Sequence, residues 1–140
     1  MYQVVIDTNV LVSALRSRHG ASFRLLDLLG DSRWQANLSV ALALEYEQVA
    51  KRECVGGEVT EQVIDDILDR LCFRCRRRPV FYRWRPFLPD SKDDFVLEVA
   101  VEAQCDFIIT FNTKDFAGVE QFGIVVLRPK EFLMRIGEHT

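Results

Sequence analysis

Short, continuously apolar runs, broken off by polar residues, limit what this chain can become. Val4-Val5-Ile6 stops at Asp7, and Phe107-Ile108-Ile109 stops at Thr110 and a polar loop. Ile124-Val125-Val126-Leu127 is a further apolar run, and residues 34–38 and 80–84 are other candidates of strand length. Runs without polar alternation suit strands buried on both faces, as in parallel sheets. Between them lie helical segments. Residues 10–16 and 21–29 read as two helices, the second ending near Gly30, and Ser39 is an N-cap for a third reaching residue 53. Gly56-Gly57 reads as a helix-to-helix connection. Thr60 caps a fourth helix, in which Val63, Ile64, Ile67, Leu68, Leu71 and Cys75 recur at helical spacing and which Pro79 ends. Residues 92–104 form a fifth, and Pro129 opens a last one. Strands alternating with helices predict an α/β fold with a mostly parallel sheet.

The 140 residues suffice for one domain, 1–140, and are too few for two good cores. With 49% apolar and 28% charged residues, the composition is that of an ordinary globular domain. A net charge of −3 argues against coating nucleic acid through bulk charge, so any such contact needs a local basic patch or metal ions. No apolar run reaches the roughly 18 residues that span a membrane. The start has no basic region, and Asp7 interrupts its apolar stretch, so it does not read as a secretory signal. The expectation is a cytoplasmic protein without a membrane role, whose four cysteines stay reduced.

In parallel sheets, ligands bind beyond the carboxyl ends of the strands. Asp7, Thr8 and Asn9 follow the first strand, while Asn112 and Asp115 follow the 107–109 strand. The fifth helix adds a third source. Asp93, Val96, Leu97 and Ala100 fall at i, i+3, i+4 and i+7, so Asp93 heads the apolar stripe and Asp90 lies just before it. Asp94, Glu98 and Glu102 share a different, solvent-like face. In the third helix spacing mildly favours Glu45 over Glu47 as the inward acid.

Taken singly, Asp7, Asp90 and Asp93 are equally well read as helix caps, where the dipole favours negative charge. Together they make an oxygen-rich constellation suited to hard divalent cations, and phosphodiester cleavage uses such sites. Competing signatures are absent: no nucleophile elbow, phosphate-binding Gly-rich loop or H-E-x-x-H zinc motif occurs. His19 and His139 are read as surface residues.

Four blocks in this order resemble the PIN-domain family over essentially the whole chain: V-V-I-D-T-N at 4–9, Glu45 in its helix, P-D-S-K-D-D-F-V-L-E-V-A at 89–100, and I-T-F-N-T-K-D-F at 109–116. The nearest variety is the bacterial and archaeal group of toxin components of toxin–antitoxin pairs, the VapC-like ribonucleases. The resemblance implies a three-layer α/β/α fold with four or five strands and a Mg²⁺- or Mn²⁺-dependent endoribonuclease acting on RNA. It implies Asp7, Glu45, Asp93 and Asp115 as catalytic and metal-holding acids, with Thr8, Asn9, Asp90, Thr110 and Asn112 as accessory residues. An antitoxin protein and a homodimer are the implied partners. Asn112 departs from the pattern, since many relatives carry an acid there, and it implies a weaker second metal site for which Asp115 compensates.

Arginines at 70, 74, 76, 77, 78, 83 and 85, interleaved with Phe81, Tyr82 and Trp84, form either an RNA surface, with Arg74, Arg77, Arg78 and Arg83 as its candidates, or a solvated helix end. Cys72 and Cys75 read as core packing, because no second pair exists to complete a zinc site. The apolar surplus of the first two helices reads as internal core, with a dimer or antitoxin groove as the alternative. Against the nuclease stand two other classes. One is a PIN fold that has lost activity and binds RNA or protein, for which Asn112 argues. The other is a haloacid-dehalogenase-type phosphatase, disfavoured because its D-x-D would need an acid at Asn9.

Overall fold

The computed structural model describes residues 1–79 and 93–138. Among the described residues five strands run parallel: β1 (Tyr2–Ile6), β2 (Trp34–Leu38), β3 (Arg76–Arg77), β4 (Phe107–Ile109) and β5 (Val125–Leu127). Their order is β3-β2-β1-β4-β5, with β1 at the centre. The α-helices among the described residues that flank them are α1 (Thr8–Arg16), α2 (Ala21–Asp27), α3 (Val40–Cys54), α4 (Glu61–Arg74), α5 (Asp93–Glu102) and α6 (Pro129–Arg135).

Val4, Val5 and Ile6 point alternately to opposite faces of β1, yet each is at most 2% exposed. Both faces of the sheet centre are therefore covered, as the unbroken apolar runs predict. The register aligns Ile6 with Ile109 and Ile109 with Leu127, so β1, β4 and β5 end at one level. The chain builds outward from β1 through β2 to β3, then returns to lay β4 on the other side of β1. That reversal opens a crevice beyond the carboxyl ends of β1 and β4. On the first half's side α1 packs on α2 and α3, and α3 on α4, while α5 lies against β1, β2 and β4.

Local signals account for most boundaries. The Ser39 hydroxyl accepts from the Leu42 amide, and Thr60 Oγ1 accepts from the Val63 amide. Four expectations are corrected. The fourth helix ends at Arg74, well before Pro79, because Cys75 turns extended and β3 must pair with β2. Cys75 is buried, as expected, but Cys72 is exposed. Val63, expected on the apolar stripe of α4, is 37% exposed, and Ile64, Leu68 and Leu71 carry the burial. Glu98 is only 4% exposed, not on a solvent face, since α5 is enclosed on several sides and every residue from 96 to 100 is buried. The strand expected over 80–84 lies outside the described residues, as do Asp90, Arg83, Arg85 and His139. Among the described residues no helix is long and apolar enough to cross a membrane.

Candidate active site

Asp7 leaves β1 with φ −69° and ψ 149° and serves as N-cap of α1. Its Oδ1 accepts from the Thr8 amide at 2.8 Å, and its Oδ2 accepts from the Thr110 hydroxyl at 2.7 Å. The Asp7 amide donates to the Ile109 carbonyl at 2.9 Å, so the backbone too is tied to β4. The carboxylate has its direction set from both sides. Asp7 is therefore a helix cap and a site residue at once.

Thr110, fully buried, continues directly from β4. Besides donating to Asp7, its hydroxyl accepts from Asn9 Nδ2 at 3.2 Å and from the Asn112 amide at 3.0 Å. One donor and two acceptor positions are all that a hydroxyl has, so Thr110 is saturated. Asn9 Oδ1 in turn accepts from the Phe111 amide at 3.4 Å. The loop after β4 is thus held against the start of α1.

The third contributor is α3. Thr8 Oγ1 donates to Glu45 Oε2 at 3.0 Å, and Glu45 is 8% exposed against 6% for Asp7. Glu47 instead reaches solvent and pairs with Lys51. Tyr46, beside Glu45, donates its phenolic hydroxyl to the Ile6 carbonyl, beside Asp7. This bond joins α3 to the end of β1 one residue from each acid. Burial pushes the Tyr46 hydroxyl well above its ordinary pKa, with smaller contributions from Cys75, Asp7 and Glu45. It stays protonated and remains a donor.

Asp7, Thr8, Asn9, Glu45 and Asn112 line an open cleft of about 520 Å³. Val12, Ser13, Arg16 and Ser17 extend it along α1, and Val49, Arg52 and Glu53 extend it along α3. The inner lining is carboxylate, hydroxyl and amide oxygen, with neither thiol nor imidazole, and such a donor set fits Mg²⁺ or Mn²⁺. Among the described residues no three acidic, histidine or cysteine side chains gather closely enough to hold an ion. The side chain of Asp93, which opens α5, lies outside them. Asp115 sits half-buried in a 3-10 turn (Thr113–Phe116) after β4 and does not line the cleft.

The basic cluster lies elsewhere. Arg74 rests over Phe73 and against Gly30, Arg77 is in β3, and Arg78 Nε donates to Asn37 Oδ1 at 3.0 Å. None of the three lines the cleft. The arginines that do, Arg16 and Arg52, were missed in the sequence, although helical spacing marks them. Asn9, Val12, Ser13 and Arg16 stand at i, i+3, i+4 and i+7 along α1, and Glu45, Val49 and Arg52 at i, i+4 and i+7 along α3.

Solved structures share the fold. VapBC2 from Rickettsia felis, bound to a DNA fragment from their promoter, is similar with a TM-score of 0.62 and 13% identity over 89% of this chain and 98% of that one. VapBC-1 from nontypeable Haemophilus influenzae gives 0.61 and 16% over 91% and 98%. FitAB bound to an IR36 DNA fragment gives 0.59 and 16% over 90% and 94%. No curated protein sequence matches this chain. The PIN-domain family model matches residues 3–114 of the 140, well over half, and the chain belongs to the PIN-domain family.

Proposed function

We infer that the protein is a divalent-metal-dependent endoribonuclease that hydrolyses RNA phosphodiester bonds. The observation that carries this reading is the buried Asp7–Thr8–Glu45 arrangement, opening into an oxygen-lined cleft at the ends of β1 and β4. Asp7 and Glu45, with Asp93 from α5, are the acids assigned to hold Mg²⁺ or Mn²⁺; Asp115, outside the cleft lining, is assigned to them on the family resemblance alone. When bound, such an ion neutralises charge on the phosphoryl group and makes water a better nucleophile. The chain's own residues preorganise the site. Thr110 and the Thr8 amide hold the Asp7 carboxylate, and Thr8 Oγ1 holds Glu45, so neither acid needs to reorient when substrate arrives. Asn9 and Asn112 offer neutral amide groups at the cleft edge for a water or a sugar hydroxyl. Asp90 is assigned an accessory role on the family resemblance alone.

The similar structures are VapBC and FitAB assemblies, and by extension we assign this chain a protein antitoxin and a toxin's role. A homodimer is proposed on the same resemblance, with Phe23, 38% exposed on α2, as part of the remaining apolar surface. One observation favours a second reading, a catalytically impaired module that binds RNA or protein. Asn112 lines the cleft where an acid would add negative charge for a second ion.

The test is cleavage of mixed single-stranded and structured RNA by purified protein in Mg²⁺, Mn²⁺ or EDTA, beside Asp7→Asn, Glu45→Gln and Asp93→Asn. Metal-dependent cleavage lost in each variant is the expected result. RNA binding without cleavage in any metal would move the assignment to the impaired module.

A further inference from the structure

Beyond its acidic floor the cleft has a basic edge, built by the same two helices. Arg16 ends the cleft-facing stripe of α1, and Arg52 ends that of α3. Each stands seven residues, or about 10 Å of helix rise, beyond a polar residue of the floor, Asn9 and Glu45 respectively. Between the two guanidinium groups sits one carboxylate, Glu53. Arg52 Nη2 lies 3.1 Å from its Oε2; Arg16 Nη2 lies 3.9 Å from its Oε1 and donates to its backbone carbonyl at 3.4 Å. All three side chains are well exposed, with 59%, 53% and 40% of their surface open for Arg16, Arg52 and Glu53.

Stability does not require this triad. Exposed ion pairs contribute between nothing and about 1 kcal/mol, and α1 and α3 already pack directly on one another. Binding gives it a reason. A polyanionic strand approaching Asp7 and Glu45 meets negative charge on the floor, and a cationic contact beside it can hold the flanking backbone. Guanidinium groups match phosphate oxygens in a planar, two-pronged way. The Glu53 carboxylate presents two oxygens to the two arginines much as a phosphodiester would.

We propose that Arg16 and Arg52 form a phosphate-binding edge for a non-scissile phosphate of an RNA strand lying in the cleft, and that Glu53 occupies this edge until the strand displaces it. The proposal rests on the ribonuclease reading, but its test does not need cleavage. The full chain is titrated against a fluorescently labelled single-stranded RNA oligonucleotide in EDTA, across a salt series, and binding is followed by anisotropy. Arg16→Gln and Arg52→Gln are each expected to weaken binding about fivefold at low salt, the size of one exposed charge contact. Each is also expected to flatten the dependence of log affinity on log salt by about 0.7. Glu53→Gln is expected to tighten binding, because it removes the competitor and leaves both cations. A purely structural triad predicts instead that Glu53→Gln behaves like the arginine variants, since it breaks the same pairs. Equal binding by wild type and both arginine variants, or weakened binding by Glu53→Gln, would overturn the proposal. The expected pattern in a protein that cleaves no RNA in Mg²⁺ or Mn²⁺ would uphold the phosphate edge and sink the nuclease reading alone.

Discussion

Replacing Thr110 with valine removes one oxygen and keeps the shape of the side chain. That oxygen joins three segments: it donates to Asp7 Oδ2 and accepts from Asn9 Nδ2 and the Asn112 amide. A bond to a charged carboxylate contributes about 1.5–3 kcal/mol, and a neutral one about 0.5–1.5 kcal/mol. Asn9 is half-buried and can turn to water, so little is lost there. The expected cost is therefore about 2–4 kcal/mol, most of it from the Asp7 bond, against a total stability of about 5–15 kcal/mol. For a chain of this length that corresponds to a melting temperature lower by roughly 8–15 °C. Thr110→Ser is the control. It keeps the hydroxyl and loses one methyl, which costs about 1 kcal/mol. Thermal and urea melts followed by circular dichroism compare the two. Under the ribonuclease assignment, Thr110→Val also lowers kcat with little change in KM, since it loosens an acid without touching the phosphate edge. Valine and serine variants of equal stability would refute the reasoning, because the hydroxyl would then contribute nothing beyond its methyl neighbour.

Three further outcomes follow from other parts of the fold. Arg33 holds the Asp31 carboxyl down at about 2, from an ordinary 3.8, and lowers Glu138 as well, with Arg24 assisting. These depressed acids lend stability that is complete above the ordinary carboxylate range and is lost as pH falls below it, in the case of Asp31 through about 2. Arg33→Gln should remove that part of the acid dependence in melts between pH 5 and 2, pH values chosen to bracket the shift. Burial pushes the thiols of Cys75 and Cys105 up to about 12, whereas Cys72 is exposed. Iodoacetamide at neutral pH should label Cys72 in the folded protein and reach Cys75 and Cys105 only after denaturation, as read by peptide mass spectrometry. Gly30 has φ +93°, and an added Cβ would stand 2.9 Å from Arg74 Nη1. Gly30→Ala should therefore destabilise by about 1–2 kcal/mol in urea melts.

How much was legible beforehand depended on how local each cause was. Residues 107–109 were read as a strand to the residue, because a strand buried on both faces has no polar interruption and must end where one begins; 34–38 matched as well, although Gln35 and Asn37 interrupt it. The N-caps at Ser39 and Thr60 were legible because the bond that makes them spans three residues. The choice between Glu45 and Glu47 was barely made by spacing. It is made in the fold by Thr8, thirty-seven positions earlier, whose hydroxyl meets Glu45. Glu98 misled for the converse reason. A period drawn on one helix presumes one buried face, and α5 is enclosed. Composition drew notice to the arginines around residue 77 and away from Arg16 and Arg52, which lie far apart in the chain and meet only when α1 and α3 pack together.

Asp7 carries two obligations in one carboxylate, opening α1 and lining the cleft. A descendant of this protein that ceased to cut RNA would be relieved of the second duty and still bound by the first. Selection on folding alone would go on preserving an acceptor at this position, so Asp7 would be among the last of the acids to drift. Its natural successor would be asparagine, which caps helices as well and keeps an oxygen for the threonine hydroxyl. An aspartate after the first strand is thus a poor witness to catalysis in such chains, and the acids with no helix to start testify better.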